Sequence, residues 1–176
     1  FKIADPKPRD IHKASVRDRL LHHALHRKLS PFFAKTFISD SNSCQDGKGT
    51  HSALRRFRKF IGIVSENNTR TVWVLKCDIR KFFANIDHAI LLDIITEYIP
   101  DRDIVRLISV IVQSFHSSIE GVGLPLGNLT SQLLVNIYMN EFDQFVKHRL
   151  KARYYLRYAD DFAVLSPDKA YLEAIL

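Results

Sequence analysis

Cysteine is nearly absent: Cys44 and Cys77 are the only two, and no Cys-x-x-Cys spacing exists. That excludes a disulfide framework and a cysteine zinc site, and it suits a reducing cytoplasm, the expected location. No uninterrupted apolar run approaches the ~20 residues of a membrane-spanning helix, so no membrane partner is expected. The opening Phe1-Lys2-Ile3-Ala4-Asp5 lacks the apolar core of a secretory leader. Without a leader, the sequons Asn67-Asn68-Thr69 and Asn128-Leu129-Thr130 read as chance matches. Internal repeats and low-complexity tracts are missing, as are Ser/His/Asp and Cys/His nucleophile arrangements. Gly47-Lys48-Gly49-Thr50 is no phosphate loop, because position 42 is Asn rather than Gly and Gly49 separates the lysine from the threonine. His22 and His26 have the i, i+4 spacing of a helical metal pair, but no glutamate follows His22 and no third ligand stands out. They read as an exposed polar helix face.

What the chain does contain is a core. Of its 176 residues 46% are hydrophobic, with 12 Phe, which excludes disorder. Lys and Arg number 26 against 19 Asp and Glu, a net charge of +7. Such a basic balance fits a polyanionic partner or, equally, a solvated basic surface.

Residues 1–11 read as extended, since Pro6 and Pro8 forbid helix. Ser15 with Asp18 predicts a helix start, with Val16, Leu20, Leu21, Ala24, Leu25 and Leu29 as its apolar stripe. Residues 39–49 form a polar loop. A second helix from Thr50 is expected to bury Ala53, Leu54, Phe57 and Ile61 and to present Arg55, Arg56, Arg58 and Lys59 on its other face. Glu66-Asn67-Asn68 is a turn. Residues 71–75 predict a buried strand running into Lys76-Cys77-Asp78. Asp87 and Asp101 each cap a helix, the first ending before Pro100. A Gly/Pro loop at 120–127 leads into a long helix over about 128–148. A hairpin follows, and another helix starts after Pro167. The fold class is α+β, with few strands scattered among helices.

Within that hairpin, Asp160 and Asp161 are adjacent, flanked by Tyr154-Tyr155-Leu156 and Phe162-Ala163-Val164-Leu165. Neighbouring carboxylates repel, and Asp is a poor strand former, so the pair gives the fold nothing. Hard divalent cations, however, take carboxylate oxygens. Asp78, at the end of the other strongly apolar strand, is a third candidate. Taken singly, Asp78 could be a strand-end cap and the doublet an exposed turn.

Three ordered motifs resemble the reverse transcriptase family. Tyr158-Ala159-Asp160-Asp161 is similar to the family's signature tetrapeptide, residues 76–83 to its first palm motif, and residues 123–138 to the loop-helix between them. Leu126-Gly127 followed by Ser131-Gln132 departs from the commoner Pro-Gln-Gly and Ser-Pro. This pattern resembles the enzymes of diversity-generating retroelements, as do Pro6-Lys7-Pro8-Arg9, Asp18-Arg19 with His23-Ala24-Leu25, and Lys48-Gly49-Thr50-His51. Group II intron and retron enzymes are the near alternatives.

The resemblance implies the fingers and partial palm of a right-hand polymerase. Residues 1–70 would belong to the fingers, 71–90 to the first catalytic palm strand, 91–122 to a helical fingers/palm segment, and 123–176 to the palm loop-helix and hairpin. It implies that Asp78, Asp160 and Asp161, with the Ile79 carbonyl, hold two Mg²⁺ ions, Mn²⁺ being able to stand in. Lys7, Arg9, Lys81, Phe82, Phe83, Leu126 and Gly127 would meet the dNTP, with Phe83 as the steric gate against a 2′-hydroxyl. Arg55, Arg56, Arg58, Lys59, Pro125, Gln132 and Tyr158 would meet template or primer. Core packing for Phe82 or Phe83, an exposed strand edge for Lys7 and Arg9, a solvated face for the helix cations, and hairpin packing for Tyr158 are the structural alternatives. The expected partners are an RNA template, a DNA or RNA primer, dNTPs and a small basic accessory protein. Replacement of glutamine by Leu126 predicts low fidelity. Only residues 162–176 follow the doublet, so the thumb is expected to be missing and the fragment weak or inactive alone. A polymerase core that only grips RNA, and a transferase that makes RNA or untemplated tails, are the competing functions.

Overall fold

The computed structural model describes residues 2–4, 8–12 and 14–176, with the backbone alone for 2–4 and 8–10. The elements in order are β1 (Lys2–Ala4), β2 (Pro8–Asp10), α1 (Val16–Phe33), α2 (Thr50–Val64), β3 (Trp73–Asp78), a 3₁₀ turn (Phe82–Asn85), α3 (His88–Tyr98), α4 (Arg102–Gln113), α5 (Leu129–Gln144), a π turn (Phe145–Arg149), β4 (Tyr155–Tyr158), β5 (Asp161–Ser166) and α6 (Lys169–Ala174). The architecture is α+β. No helix among the described residues is long and apolar enough to cross a membrane. The chain divides into two units, each assembled from two separated segments: Phe1–Lys35 with Lys81–Tyr138, and Thr36–Arg80 with Met139–Leu176.

The first unit is mostly helical. Ser15 Oγ accepts the Asp18 N–H and Asp87 caps Ile90, and Asp101 accepts from both Asp103 and Ile104, so three helices start where a side-chain oxygen meets orphan amides. β1 and β2 pair antiparallel, Ile3 opposite Arg9. The expected apolar stripe of α1 holds at Leu29, which is buried, and is corrected nearer the start of the helix: Val16 and Leu20 are exposed, at 68% and 70%, as are Leu21 and Ala24, while His22 and Phe33 are buried. His22 is therefore not on an exposed polar face. Its Nδ1 is hydrogen-bonded to Thr130 Oγ1 at 2.7 Å, which satisfies the polar atom and lets the ring face inward. Burial lowers the His22 pKa, an effect that nearby Asp18 partly offsets.

The second unit holds a three-stranded antiparallel sheet in the order β3-β5-β4. Its central hairpin is covered on both faces. Leu156 and Leu165 join Ala53, Phe60 and Val64 of α2. Tyr155 and Val164, one residue out of phase, join Val146, Ala152 and Leu172. Burial on both faces explains the unbroken apolar run at 162–165 of β5. In α2 the buried line is Ala53, Phe60 and Val64, flanked by partly buried Phe57 and Ile61. Leu54, expected inside, is 48% exposed because it lies one position off that line. β3 is likewise corrected. It is an edge strand rather than a buried one, with Trp73 and Val74 at 42% and 43% exposure, and an edge strand has a sheet neighbour on one side only. The polar loop at 39–49 is the opposite surprise: Asp40, Ser41, Asn42 and Ser43 are at most 4% exposed.

Candidate active site

β4 and β5 are joined by the two-residue turn Ala159-Asp160, with Tyr158 opposite Asp161. Such turns need positive φ and favour Gly or Asn. Here Ala159 takes φ +55°. Its peptide is held on both sides: Ala159 N–H donates to Ser43 Oγ at 2.9 Å, and Arg157 Nη1 donates to the Ala159 carbonyl at 3.0 Å. The turn thus presents Asp160 at its tip and Asp161 as the first residue of β5.

β3 runs antiparallel beside β5, and its register places Asp78 directly opposite Asp161. Carboxylates 83 positions apart in the sequence therefore end two adjacent strands as a cross-strand pair, with Asp160 one residue away. Opposed like charges destabilise a sheet by roughly 0.2–1 kcal/mol. Lys76, two residues from Asp78 along β3, places its Nζ 3.2 Å from Asp161 Oδ1. Among the described residues no three His, Cys, Asp or Glu side chains converge tightly enough to enclose a metal ion. The donor set nonetheless fits a hard cation, because Mg²⁺ is typically held by one or two carboxylates, with water and substrate phosphates filling its other positions. Ile79 follows Asp78 directly and is half-buried.

Tyr158, 38% exposed, begins the turn, and its hydroxyl accepts a hydrogen bond from Thr50 Oγ1 at the start of α2. Along α2, Arg55, Arg58 and Lys59 are exposed at i, i+3 and i+4, one face of the helix. Arg56 is turned differently. Its guanidinium forms a two-pronged pair with buried Asp40 and lies 4.4 Å from the Phe60 ring centroid, so it is engaged within the fold.

The remaining nucleotide candidates lie in the first unit. Lys81 takes φ +51° and opens the 3₁₀ turn. Phe82 is buried at 5%, whereas Phe83 is half-buried, so the adjacent pair divides into one packing ring and one partly open ring. The turn is laced to the glycine-rich loop: Leu124 N–H donates to the Phe83 carbonyl at 2.8 Å, Gly123 N–H to Ile86 at 2.7 Å, and His88 Nε2 meets the Gly123 carbonyl at 2.6 Å. Gly127 has φ +105°, and a Cβ there would come within 3.0 Å of Ile11 Cγ2, which accounts for the glycine. Leu126 is half-buried and its carbonyl accepts His12 N–H; Pro125 and Gln132 are also half-buried. Lys7 lies outside the described residues, and Arg9 is described by its backbone alone.

The sequence reading missed a buried polar network. Arg157 and Asp143, at 1% and 0% exposure, form a bidentate ion pair, Nε to Oδ1 at 2.9 Å and Nη2 to Oδ2 at 2.7 Å. Tyr155 donates its hydroxyl hydrogen to Asp143 Oδ1, and Arg157 Nη2 also reaches Ser41 Oγ. Burial, reinforced by the Asp143 carboxylate, pushes the Tyr155 phenol above the ordinary tyrosine range. Nearby, Lys48 Nζ donates to the carbonyls of Ile38, Ser39 and Ser41, and burial lowers its pKa. The available signal was Arg157, one charge set between Leu156 and Tyr158; Asp143, close to Glu141 late in the long helix, carried no such mark.

The profile of the family described as reverse transcriptase (RNA-dependent DNA polymerase) matches residues 4–176. Among curated proteins, protein YkfC of Escherichia coli K12 is 26% identical, the match covering 96% of this chain and 54% of that protein. The group II intron-encoded protein LtrA of Lactococcus lactis subsp. cremoris is 27% identical, over 80% of this chain and 23% of LtrA. Among solved structures, an apo telomerase from Candida tropicalis truncated from its C-terminal domain superposes with a TM-score of 0.63 at 15% identity, covering 89% of this chain and 35% of its own. Telomerase from Candida albicans, in complex with a fragment of telomeric RNA, gives 0.64 at 11% identity, covering 89% and 32%. The chain thus spans about half the length of one of these relatives and between 23% and 35% of the others.

Proposed function

The chain belongs to the reverse transcriptase family, and from that premise we propose that the protein containing it extends a primer 3′-hydroxyl with dNTPs along an RNA template. The observation that carries the reading is the register of Asp78 opposite Asp161 at the open end of two paired strands, beside Asp160. The 3′-oxygen forms a new bond to the α-phosphorus, the bond to the leaving pyrophosphate breaks, and the hydroxyl proton passes to solvent water. Asp78, Asp160 and Asp161, with the Ile79 carbonyl, are the groups that would hold Mg²⁺ or Mn²⁺. A divalent cation bound there supplies charge neutralisation for phosphoryl transfer. The chain's own side chains bind and orient. Arg55, Arg58 and Lys59 present one exposed basic face for template phosphates. Tyr158, steadied by Thr50, offers a ring to the primer end. Phe83, the more open ring of its pair, is the gate that favours dNTP over NTP.

The test is single-nucleotide incorporation by the full-length protein on a primed RNA template, with dNTPs and NTPs, with and without template. Template-dependent, divalent-dependent dNTP addition that disappears in Asp160→Asn is expected. RNA binding without incorporation would replace the reading with that of a binding module, and template-free addition would replace it with that of a tailing enzyme.

The finer reading is an error-prone retroelement enzyme of the diversity-generating kind, supported by Leu126 where related motifs carry glutamine and by Gln132 after Ser131. An apolar side chain at 126 cannot make the polar contact that would check nucleotide geometry. Leu126→Gln should lower misincorporation opposite adenine severalfold, and an unchanged error spectrum would count against it. The group II intron-encoded relative favours the second reading, an intron-type enzyme, for which Leu126 would carry no fidelity effect.

A further inference from the structure

Building on the catalytic reading of the carboxylate pair, we propose that Arg157 is a positioning residue that, together with Ser43, clamps the Ala159 peptide and so fixes Asp160 and Asp161 in place. Ala159 adopts a left-handed conformation that an alanine rarely takes, at +55°, in a turn that lacks Gly and Asn. Such a turn persists only when its surroundings over-determine it. Here both polar groups of Ala159 are bound, the N–H by Ser43 Oγ at 2.9 Å and the carbonyl by Arg157 Nη1 at 3.0 Å.

The clamp is itself buried and hydrogen-bonded. Ser43 is 3% exposed and Arg157 is 1% exposed. Asp143 grips the guanidinium with both oxygens, while Tyr155 and Ser41 complete the hydrogen bonding. Arg157's own backbone is tied on its outer edge, its N–H to the Asp40 carbonyl and its carbonyl to Asn42 N–H. Stability alone does not call for this arrangement, because an apolar pair of similar volume usually serves a core as well as a buried ion pair does. A fixed guanidinium fork gives what an apolar pair cannot, a donor aimed at the turn carbonyl. Carboxylates that must share a reaction centre need that fixation, since small displacements are expensive in rate.

The test uses the full-length protein with Ser43→Ala and Arg157→Lys, read by amide hydrogen exchange and by nucleotide incorporation. Lysine keeps a charge for Asp143 but lacks the second arm. Peptides covering 158–161 should exchange about tenfold faster while those covering β3 stay unchanged. The kcat should fall about ten- to a hundredfold, with the dNTP KM held within about threefold. If Arg157→Lys fails to fold, Ser43→Ala, which loses a single hydroxyl, decides the matter. Unchanged exchange at the turn would overturn the clamp. Faster exchange with an unchanged kcat would overturn its catalytic purpose. A wild-type protein that incorporates nothing would overturn the functional reading instead, and the exchange data would still report on the clamp separately.

Discussion

Arg157 and Asp161 are four residues apart on one hairpin, yet their charges live in opposite surroundings. Arg157 is buried, paired in two-pronged fashion with Asp143 and enclosed by hydroxyls. Asp161 is partly open to solvent, faces another carboxylate across the sheet and meets the exposed amine of Lys76. The first arrangement is electrostatically complete within the fold. The second sets like charges opposite one another, which by itself gives the fold nothing. On the proposed function the opposed carboxylates serve the reaction, whereas the Arg157 pair serves the architecture that presents them.

If that contrast is right, neutralising the open carboxylates separates activity from stability. Asp161→Asn and Asp78→Asn should each reduce nucleotide incorporation by roughly 10³-fold. Removing one of two opposed charges should leave thermal stability unchanged or raise it by roughly 0.2–1 kcal/mol. Primer extension and a melting curve on the same preparations check both. A marked fall in melting temperature would show that these carboxylates are structural after all.

The buried pair should behave in the reverse way. Arg157→Met or Asp143→Leu alone strands a charge in the core and should cost about 3–5 kcal/mol of stability, read by urea unfolding. The double substitution should recover most of that loss, because two apolar side chains leave no charge behind. It should not recover incorporation, since the turn carbonyl still lacks its donor. Recovery of both would mean that the ion pair serves packing alone.

How much of this contrast could be read from the sequence follows from which contacts are local. The caps at Ser15, Asp87 and Asp101 were legible, because each acts within three residues. So was the turn at Glu66-Asn67-Asn68, where all three residues have positive φ. The Asp160-Asp161 doublet stood out as two poor strand formers in an apolar hairpin and Asp78 as the end of the other apolar strand, but only the motif resemblance joined the three. No local signal says that residue 78 pairs with residue 161, and only the sheet register places them together. Exposure was the least legible property. Residues 72–75 have the composition of a buried strand, but burial of Trp73 and Val74 depends on what lies alongside β3. The loop at 40–43 looks like solvent-exposed chain, but it is buried because its polar atoms bond to β4 and to the Ala159 turn. His22 turned inward for a similar reason, a hydroxyl contributed by distant Thr130.

His22 gives a smaller test, because it is a buried titratable group that is neutral rather than paired. Its folded pKa lies below the ordinary 6.5. The unfolded chain therefore binds a proton more readily, and stability should fall as pH drops below about 6.5. The loss should level off once the folded-state group also protonates. Thr130→Val should cost about 1 kcal/mol at neutral pH by removing the hydrogen bond. His22→Gln should flatten the acid side of the stability profile. A profile unchanged by that substitution would assign the acid sensitivity to other groups.

The smallest effect should come from Lys76, which stands where the open pair most needs positive charge. Both partners of its contact with Asp161 are substantially exposed, at 72% and 49%, so the pair contributes little. Lys76→Met should change stability by no more than about 1 kcal/mol. If the ammonium occupies ground that a divalent cation would take, removing it should lower the half-saturating Mg²⁺ concentration for incorporation by up to about fivefold. If instead the lysine contacts a substrate phosphate, the dNTP KM should rise and the Mg²⁺ dependence should stay put. The two outcomes distinguish a stand-in for the metal from a partner of the nucleotide, and either sharpens the difference between a charge that the fold has settled and one that it has left open.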